Sequence, residues 1–129
     1  MKKSNIAILF IGAAIFSAIL YFSPAGTRSL SGSSFVETYQ KTTGAVLLDV
    51  RTPAEFAVGH IAQAINVDFE NPTFSTEVMK LDKEKEYFVY CRSGNRSGQA
   101  ITIMKQNGFT HISELAGGVS SNTEIKLIP

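Results

Sequence analysis

Residues 87–97 have the sequence YFVYCRSGNRS, an apolar run of four followed by a cysteine and a polar, glycine-containing segment. The run Tyr87–Tyr90 has the length and composition of a buried strand. The apolar residues that follow at helical spacing, from Ala100 to Met104, predict a helix that begins near Ser97 and ends at Asn107-Gly108. The segment therefore predicts a strand, a loop that opens with a cysteine and a helix, which is the unit of α/β folds.

The same alternation continues on both sides of this segment. Three other runs have the length and composition of strands: 45–50, 64–67 and 110–113. Helices are predicted between them by capping boxes at Ser34/Glu37 and Thr52/Glu55, and by apolar residues spaced at 74, 78 and 81. We therefore expect an α/β domain with a doubly wound, mostly parallel sheet flanked by short helices.

The composition limits the chain to one small domain and excludes several classes of function. The chain has 129 residues, one cysteine, two histidines and a formal charge of +1. This charge argues against a nucleic-acid partner, because phosphate binding needs a basic face. A lone cysteine excludes an intramolecular disulfide and a structural zinc site, and no nucleotide-binding glycine loop is present. We expect neither a metal nor a cofactor.

The N-terminus has the pattern of an export signal. Lys2 and Lys3 precede an uncharged apolar run over residues 6–22, and small residues follow at Ser23 and Ala25. This pattern predicts a signal peptide or signal anchor over 1–25, a linker over 26–33 and the working domain over 34–129. Because the lysines stay cytoplasmic, the domain is expected across the cytoplasmic membrane, either soluble in the periplasm or anchored by residues 6–22.

The candidate site is Cys91 and the loop behind it. In an open α/β sheet, ligands bind at the carboxyl ends of the strands, where this cysteine is predicted to lie. Backbone N–H groups that curl around the sulfur at a helix N-terminus, with Arg92 and Arg96 nearby, favour the thiolate, and Gly94 permits a tight bend. A lone cysteine is more often a small buried apolar residue, but these polar and cationic neighbours favour a reactive one.

The chain resembles the rhodanese family over nearly all of residues 34–129. The resemblance is carried, in this order, by LLDVR (47–51), TPAEF (52–56), GHI (59–61), AIN (64–66), YCRSGNRS (90–97) and Gly117-Gly118. It implies a single-domain sulfurtransferase of the thiosulfate type, in which Cys91 takes a sulfane sulfur, holds it as a persulfide and passes it on.

The resemblance also implies the substrates and the roles of the loop residues. The donor would be a small sulfur anion such as thiosulfate, and the acceptor would be a thiol, cyanide or a protein. The loop would bind the donor through Arg92, Ser93, Gly94, Asn95, Arg96 and Ser97, with the two arginines attracting the anion and the two serines donating hydrogen bonds. We expect a monomer.

Two other functions remain open at this point. Cysteine-dependent phosphatases and arsenate reductases also place a cysteine at the head of an anion-binding loop, but their loop is one residue longer than the segment from Cys91 to Arg96. The domain could alternatively be a persulfide carrier or a sulfur-binding module without turnover.

Four polar residues in the shared motifs are expected to support the fold: Asp49, Arg51, Glu55 and His60. His111 is expected in a solvated, edge-like strand. The chain departs from the family pattern at Ala62-Gln63, where Pro-Gly is common, and at Asn122, where a Trp is usual.

Overall fold

The computed structural model describes residues 26–129. The predicted signal peptide or signal anchor, residues 1–25, lies outside this range. The strands are β1 (Gly26–Leu30), β2 (Val46–Asp49), β3 (His60–Ile61), β4 (Ile65–Asn66), β5 (Tyr87–Tyr90), β6 (His111–Leu115) and β7 (Leu127–Ile128). The helices are α1 (Gly32–Lys41), α2 (Pro53–Val58), α3 (Phe74–Met79), α4 (Asn95–Gln106) and α5 (Gly118–Ser121).

Five of the strands form one parallel sheet in the order β1-β6-β5-β2-β4. The remaining two, β3 and β7, pair antiparallel in a small separate sheet. Parallel strands need crossover connections, and the helices between them supply these connections. The predicted α/β fold with a mostly parallel sheet is therefore confirmed.

The central strand β5 divides the core into two clusters. Tyr87 and Val89 pack into the cluster that contains α3 and α4, whereas Phe88 and Tyr90 pack into the cluster that contains Phe35 of α1. Side chains alternate between the faces of a strand, so both faces of β5 are covered by helices. Cys91 continues the alternation and belongs to the α3–α4 cluster.

Residues 26–33 differ from the predicted polar linker. Gly26–Leu30 form the edge strand β1, paired in parallel with β6, and the next helix already begins at Gly32. The segment GTRSL has few apolar residues because an edge strand is largely exposed, so its hydrophobicity pattern does not distinguish it from a linker. The predicted cap at Ser34 is also wrong, because the residue that precedes the helix is Ser31.

The position of His111 also differs from the prediction, because β1 was not predicted as a strand. Strand β6, which begins at His111, was expected near an edge of the sheet, but β1 covers it and makes it an interior strand. His111 is half-buried, and its Nδ1 atom is buried.

Asn122, which stands where the family has a tryptophan, is buried and fastens the C-terminal part of the domain. Its side-chain oxygen accepts from the backbone N–H of Gly32 at 2.9 Å. Its amide nitrogen donates to the carbonyls of Ala116 and Gly118 at 2.8 and 2.7 Å. Hydrogen bonds therefore replace the packing of a large apolar side chain at this position. Within residues 26–129, no helix is both long enough and apolar enough to cross a membrane.

Candidate active site

Cys91 directly follows β5 and is 0% exposed. Helix α4 begins at Asn95, two residues earlier than the sequence predicted, so Asn95, Arg96 and Ser97 form its first turn. Gly94 caps the helix with φ of 98°, a conformation that favours glycine, and its N–H donates to the sulfur of Cys91 at 3.0 Å. The sulfur therefore lies at the N-terminus of a twelve-residue helix, where the helix dipole and a backbone N–H both favour negative charge.

A hydrogen-bond chain links Cys91 to a carboxylate on the neighbouring strand. The sulfur of Cys91 lies 3.3 Å from the hydroxyl of Ser97, which donates to Oε1 of Glu114 at 2.8 Å. Ser97 is fully buried and Glu114, on β6, is half-buried. Sequence reasoning missed Glu114 because it lies 17 residues from Ser97 and belongs to none of the shared motifs.

The loop from Cys91 to Ser97, called the cysteine loop below, is fastened by the double glycine and α5. The N–H of Val119 donates to the carbonyl of Cys91 at 3.1 Å, and the N–H of Ser120 donates to the carbonyl of Arg92 at 2.9 Å. Gly118 has φ of 63°, and a Cβ at this position would lie 2.3 Å from the carbonyl oxygen of Arg92. Glycine is required here both by the backbone conformation and by the close approach of the loop.

The two arginines of the cysteine loop have different surroundings. Arg96 donates to both carboxylate oxygens of Glu55 at 2.7 and 2.9 Å and lies 3.4 Å from Glu70. The hydrogen bond from Arg96 lowers the pKa of Glu55 to about 2, and the bond to Glu55 raises the pKa of Arg96. Arg92 is exposed, and its side chain has no hydrogen-bond or ion-pair partner among residues 26–129. Its charge is therefore available to an incoming anion, whereas the charge of Arg96 is largely neutralised.

Glu55 is held in place by the start of α2. Its Oε2 accepts from the backbone N–H and the hydroxyl of Thr52 at 3.0 and 2.9 Å, while the Thr52 hydroxyl accepts from the N–H of Glu55. This is the predicted capping box. The same carboxylate caps α2 and orients Arg96, so the start of this helix is coupled to the cysteine loop.

The other three polar residues expected to support the fold make structural contacts. Asp49 and Arg51 form a buried ion pair at 2.7 Å, and Arg51 also donates to the carbonyl of Gly59 at 2.6 Å. The ring of His60 stacks on Phe56 with centroids 3.8 Å apart, and its Nδ1 lies 3.0 Å from the carbonyl of Phe56. None of these contacts involves Cys91.

The remaining loop residues are exposed at the surface beside the cysteine. Ser93 and Asn95 are exposed, and the side-chain oxygen of Asn95 accepts from Gln99 at 2.6 Å. A cavity of about 350 Å³ lies beside the loop, lined by Arg51, Glu55, Val58, Arg92, Val119 and Ser120. A larger groove, of about 950 Å³, lies between α1 and the C-terminal segment, and its lining includes none of residues 91–97. The 350 Å³ cavity therefore adjoins the loop at Arg92, whereas the larger groove does not.

A family model, a relative in sequence and a solved structure all match this chain to rhodanese-like proteins. The family model described as a Rhodanese-like domain matches residues 34–124. The chain is 31% identical over 92 residues to a protein named Sulfurtransferase from Allochromatium vinosum, covering 71% of this chain and 84% of that one. A crystal structure of a rhodanese-related protein from Thermoplasma volcanium superposes with a TM-score of 0.67 at 30% identity, covering 78% of this chain and 97% of the other.

A plant relative is similar over a smaller share of its length. The chain is 40% identical over 90 residues to Rhodanese-like domain-containing protein 15, chloroplastic, from Arabidopsis thaliana, covering 62% of this chain and 50% of that protein. The chain therefore spans about half the length of this relative and of a similar protein from Raphanus sativus.

Proposed function

Because this chain belongs to the rhodanese-like domain family, we propose that it is a sulfurtransferase that carries sulfane sulfur as a persulfide on Cys91. The observation that carries the proposal is the position of the Cys91 sulfur, 3.0 Å from the N–H of Gly94 at the N-terminus of α4. This position favours the anionic outer sulfur of a persulfide. The relative named Sulfurtransferase supports the same reaction class.

The reaction has two half-reactions with thiosulfate as donor. In the first, the sulfur of Cys91 attacks the outer sulfur of thiosulfate, the S–S bond of thiosulfate breaks, and sulfite leaves with the bonding electron pair. In the second, an acceptor such as cyanide attacks the outer sulfur of the persulfide and leaves as thiocyanate, which returns the sulfur of Cys91 to its starting state. The transferred atom is a sulfane sulfur in thiosulfate, in the persulfide and in thiocyanate, so the cycle needs no external oxidant or reductant.

We propose that Arg92 attracts the donor anion. It is exposed and lines the cavity beside the cysteine loop. Arg96 plays a different part from the one expected from the sequence, because Glu55 and Glu70 take up its charge. Arg96 instead fixes the first turn of α4 against α2. We therefore propose a small sulfur anion as the donor and a thiol, cyanide or a protein as the acceptor.

A phosphatase or arsenate reductase is less well supported. A phosphoryl or arsenate dianion needs a guanidinium directed into the loop together with the backbone N–H groups. The guanidinium of Arg96 is held by two bonds to Glu55, outside the cysteine loop. The shorter spacing between Cys91 and Arg96 argues in the same direction.

We also propose that the domain acts across the cytoplasmic membrane. The support is the lysine pair followed by the apolar run over residues 6–22. A reporter fused after Pro129 and active only outside the cytoplasm tests this proposal, with a chain lacking residues 1–25 as the control. Activity of the truncated fusion equal to that of the full chain would contradict it.

Turnover tests the sulfurtransferase proposal. The full chain is incubated with thiosulfate and cyanide, thiocyanate is measured, and Cys91→Ser serves as the control. Thiocyanate from the wild type and none from the variant is the expected result. A persulfide without turnover would favour the carrier function, and a folded wild type that forms neither would refute both.

A further inference from the structure

The carboxylate of Glu114 has no assigned role in sulfur transfer, although it ends a hydrogen-bond chain that begins at the reacting sulfur. Its only side-chain hydrogen bond among residues 26–129 is the one from Ser97, and none of the ion pairs in this range involves it. Burying a carboxylate without a cationic partner costs free energy, and such groups are common at functional sites.

The protons in the hydrogen-bond chain from Cys91 through Ser97 to Glu114 have one favoured arrangement. The Ser97 hydroxyl has a single proton and two acceptors, the carbonyl of Gly94 at 3.2 Å and the carboxylate of Glu114 at 2.8 Å. The charged and closer acceptor forms the stronger bond. The oxygen of Ser97 is then free to accept the S–H of Cys91 at 3.3 Å. Before the donor binds, the hydrogen-bond chain therefore runs from the S–H of Cys91 through the O–H of Ser97 to the carboxylate of Glu114.

We infer that Glu114 is a positioning residue that accepts, through Ser97, the proton that Cys91 loses when it attacks the donor. This inference rests on the proposed sulfurtransferase function. As the S–S bond to the outer sulfur of thiosulfate forms, the Cys91 proton passes to the oxygen of Ser97 and the Ser97 proton passes to Glu114. Both hydrogen bonds are kept but the direction of donation is reversed, from the carboxylic acid of Glu114 to the hydroxyl of Ser97 and from that hydroxyl to the sulfur of Cys91.

The step balances in atoms and charge. The thiol of Cys91, thiosulfate and the Glu114 carboxylate become the persulfide anion, sulfite and the Glu114 carboxylic acid. In the second half-reaction, cyanide removes the outer sulfur as thiocyanate, and the leaving sulfur of Cys91 recovers the proton from Glu114 through Ser97. One proton thus serves both half-reactions, and Glu114, acting through Ser97, is the general base in the first and the general acid in the second.

Glu114 lies beside the first turns of α4. A Cβ built on Gly98 would lie 3.9 Å from Oε1 of Glu114. The carboxylate is therefore held close to the cysteine loop, within reach of Ser97.

The test separates proton transfer from the amount of thiolate. Persulfide formation is followed in a single turnover by rapid quenching and intact-protein mass, using the full chain and thiosulfate. In parallel, the rate of Cys91 alkylation by iodoacetamide reports the thiolate population, because only the thiolate reacts. Glu114→Gln keeps the size of the side chain and an oxygen that accepts from Ser97, but it cannot take up a proton.

We expect Glu114→Gln to slow persulfide formation about 100-fold, which lies within the range of general-base contributions. Alkylation should stay the same or rise, because a neighbouring negative charge is removed. Glu114→Asp, which keeps the carboxylate, should recover part of the rate. Glu84→Gln is the matched control, since Glu84 is exposed and precedes β5 at the opposite end of that strand from Cys91.

The double variant gives an independent check on the order of the chain. If Ser97 and Glu114 act in series, Ser97→Ala combined with Glu114→Gln should be no slower than Ser97→Ala alone. Persulfide formation unchanged in Glu114→Gln, or lowered in parallel with alkylation, would overturn the inference while leaving the sulfurtransferase proposal intact. A wild type that forms no persulfide would overturn both.

Discussion

The sharpest structural prediction concerns Gly118, which holds the cysteine loop in place. In Gly118→Ala, the new Cβ would lie 2.3 Å from the carbonyl oxygen of Arg92 and 2.6 Å from the N–H nitrogen of Ser93. Both neighbours are backbone atoms, so the loop must move out by about 1 Å to reach ordinary contact distance. The variant also places an alanine at φ of 63°, which costs about 1–2 kcal/mol.

The displacement also weakens the hydrogen bonds that fasten the loop. The bonds from Val119 to Cys91 and from Ser120 to Arg92 each contribute about 1 kcal/mol. We therefore expect the free energy of unfolding to fall by about 3–4 kcal/mol in total. A shift of about 1 Å in a reacting group can lower a rate about 100-fold, and we expect persulfide formation to slow by that factor.

Gly44→Ala is the matched control for this prediction. Gly44 has φ of 75°, but nothing lies within 4 Å of a Cβ built there. It should therefore lose about 1–2 kcal/mol from the backbone conformation alone and keep its rate of persulfide formation. Urea unfolding measures the stability of both variants, and intact mass in a single turnover measures their rates of persulfide formation. Equal stability losses together with an unchanged rate in Gly118→Ala would refute the reasoning.

Three further predictions concern the surroundings of the loop. Arg92→Ala should lower kcat/KM for thiosulfate about tenfold in steady-state kinetics without changing stability. Arg96→Ala should lower kcat/KM and, in urea unfolding, should also destabilise the fold by about 1–2 kcal/mol because the bonds to Glu55 are lost. The low pKa of Glu55 stabilises the fold above about pH 4.5, so the advantage of the wild type over Glu55→Gln, about 1–2 kcal/mol, should disappear in unfolding curves as the pH falls towards 2. Asn122→Ala should cost about 2–4 kcal/mol in the same assay because three hydrogen bonds of this buried side chain are lost, and a loss below about 1 kcal/mol would contradict the fastening role of Asn122.

The fold could be predicted from the sequence wherever apolar residues mark a buried strand. Tyr87–Tyr90 is buried on both faces, so its run of four apolar residues marked the strand to the residue. Thr52, Pro53 and Glu55 marked the start of α2 because a capping box is a local signal. Strand β1 carries neither signal, since its five residues are mostly exposed and it is held by pairing with β6, far along the chain.

In the candidate site too, features set by neighbouring residues could be predicted from the sequence, whereas contacts between distant residues could not. The position of Cys91 after a strand and before a helix follows from neighbouring residues. The partners that define the electrostatics of the site do not, because Arg96 and Glu55 are 41 residues apart and Ser97 and Glu114 are 17 apart. The sequence therefore suggested two free arginines at the loop, whereas the three-dimensional contacts leave one of them available and add a carboxylate.

The mass of the intact protein after exposure to thiosulfate tests the central claim most directly. The full-length wild type should gain the mass of one sulfur atom, lose it again on addition of cyanide and release one equivalent of thiocyanate. Cys91→Ser should gain nothing under the same conditions. A folded wild type whose mass stays unchanged with thiosulfate would contradict the account, because Cys91 is the one cysteine of the chain and the only residue proposed to carry the sulfur.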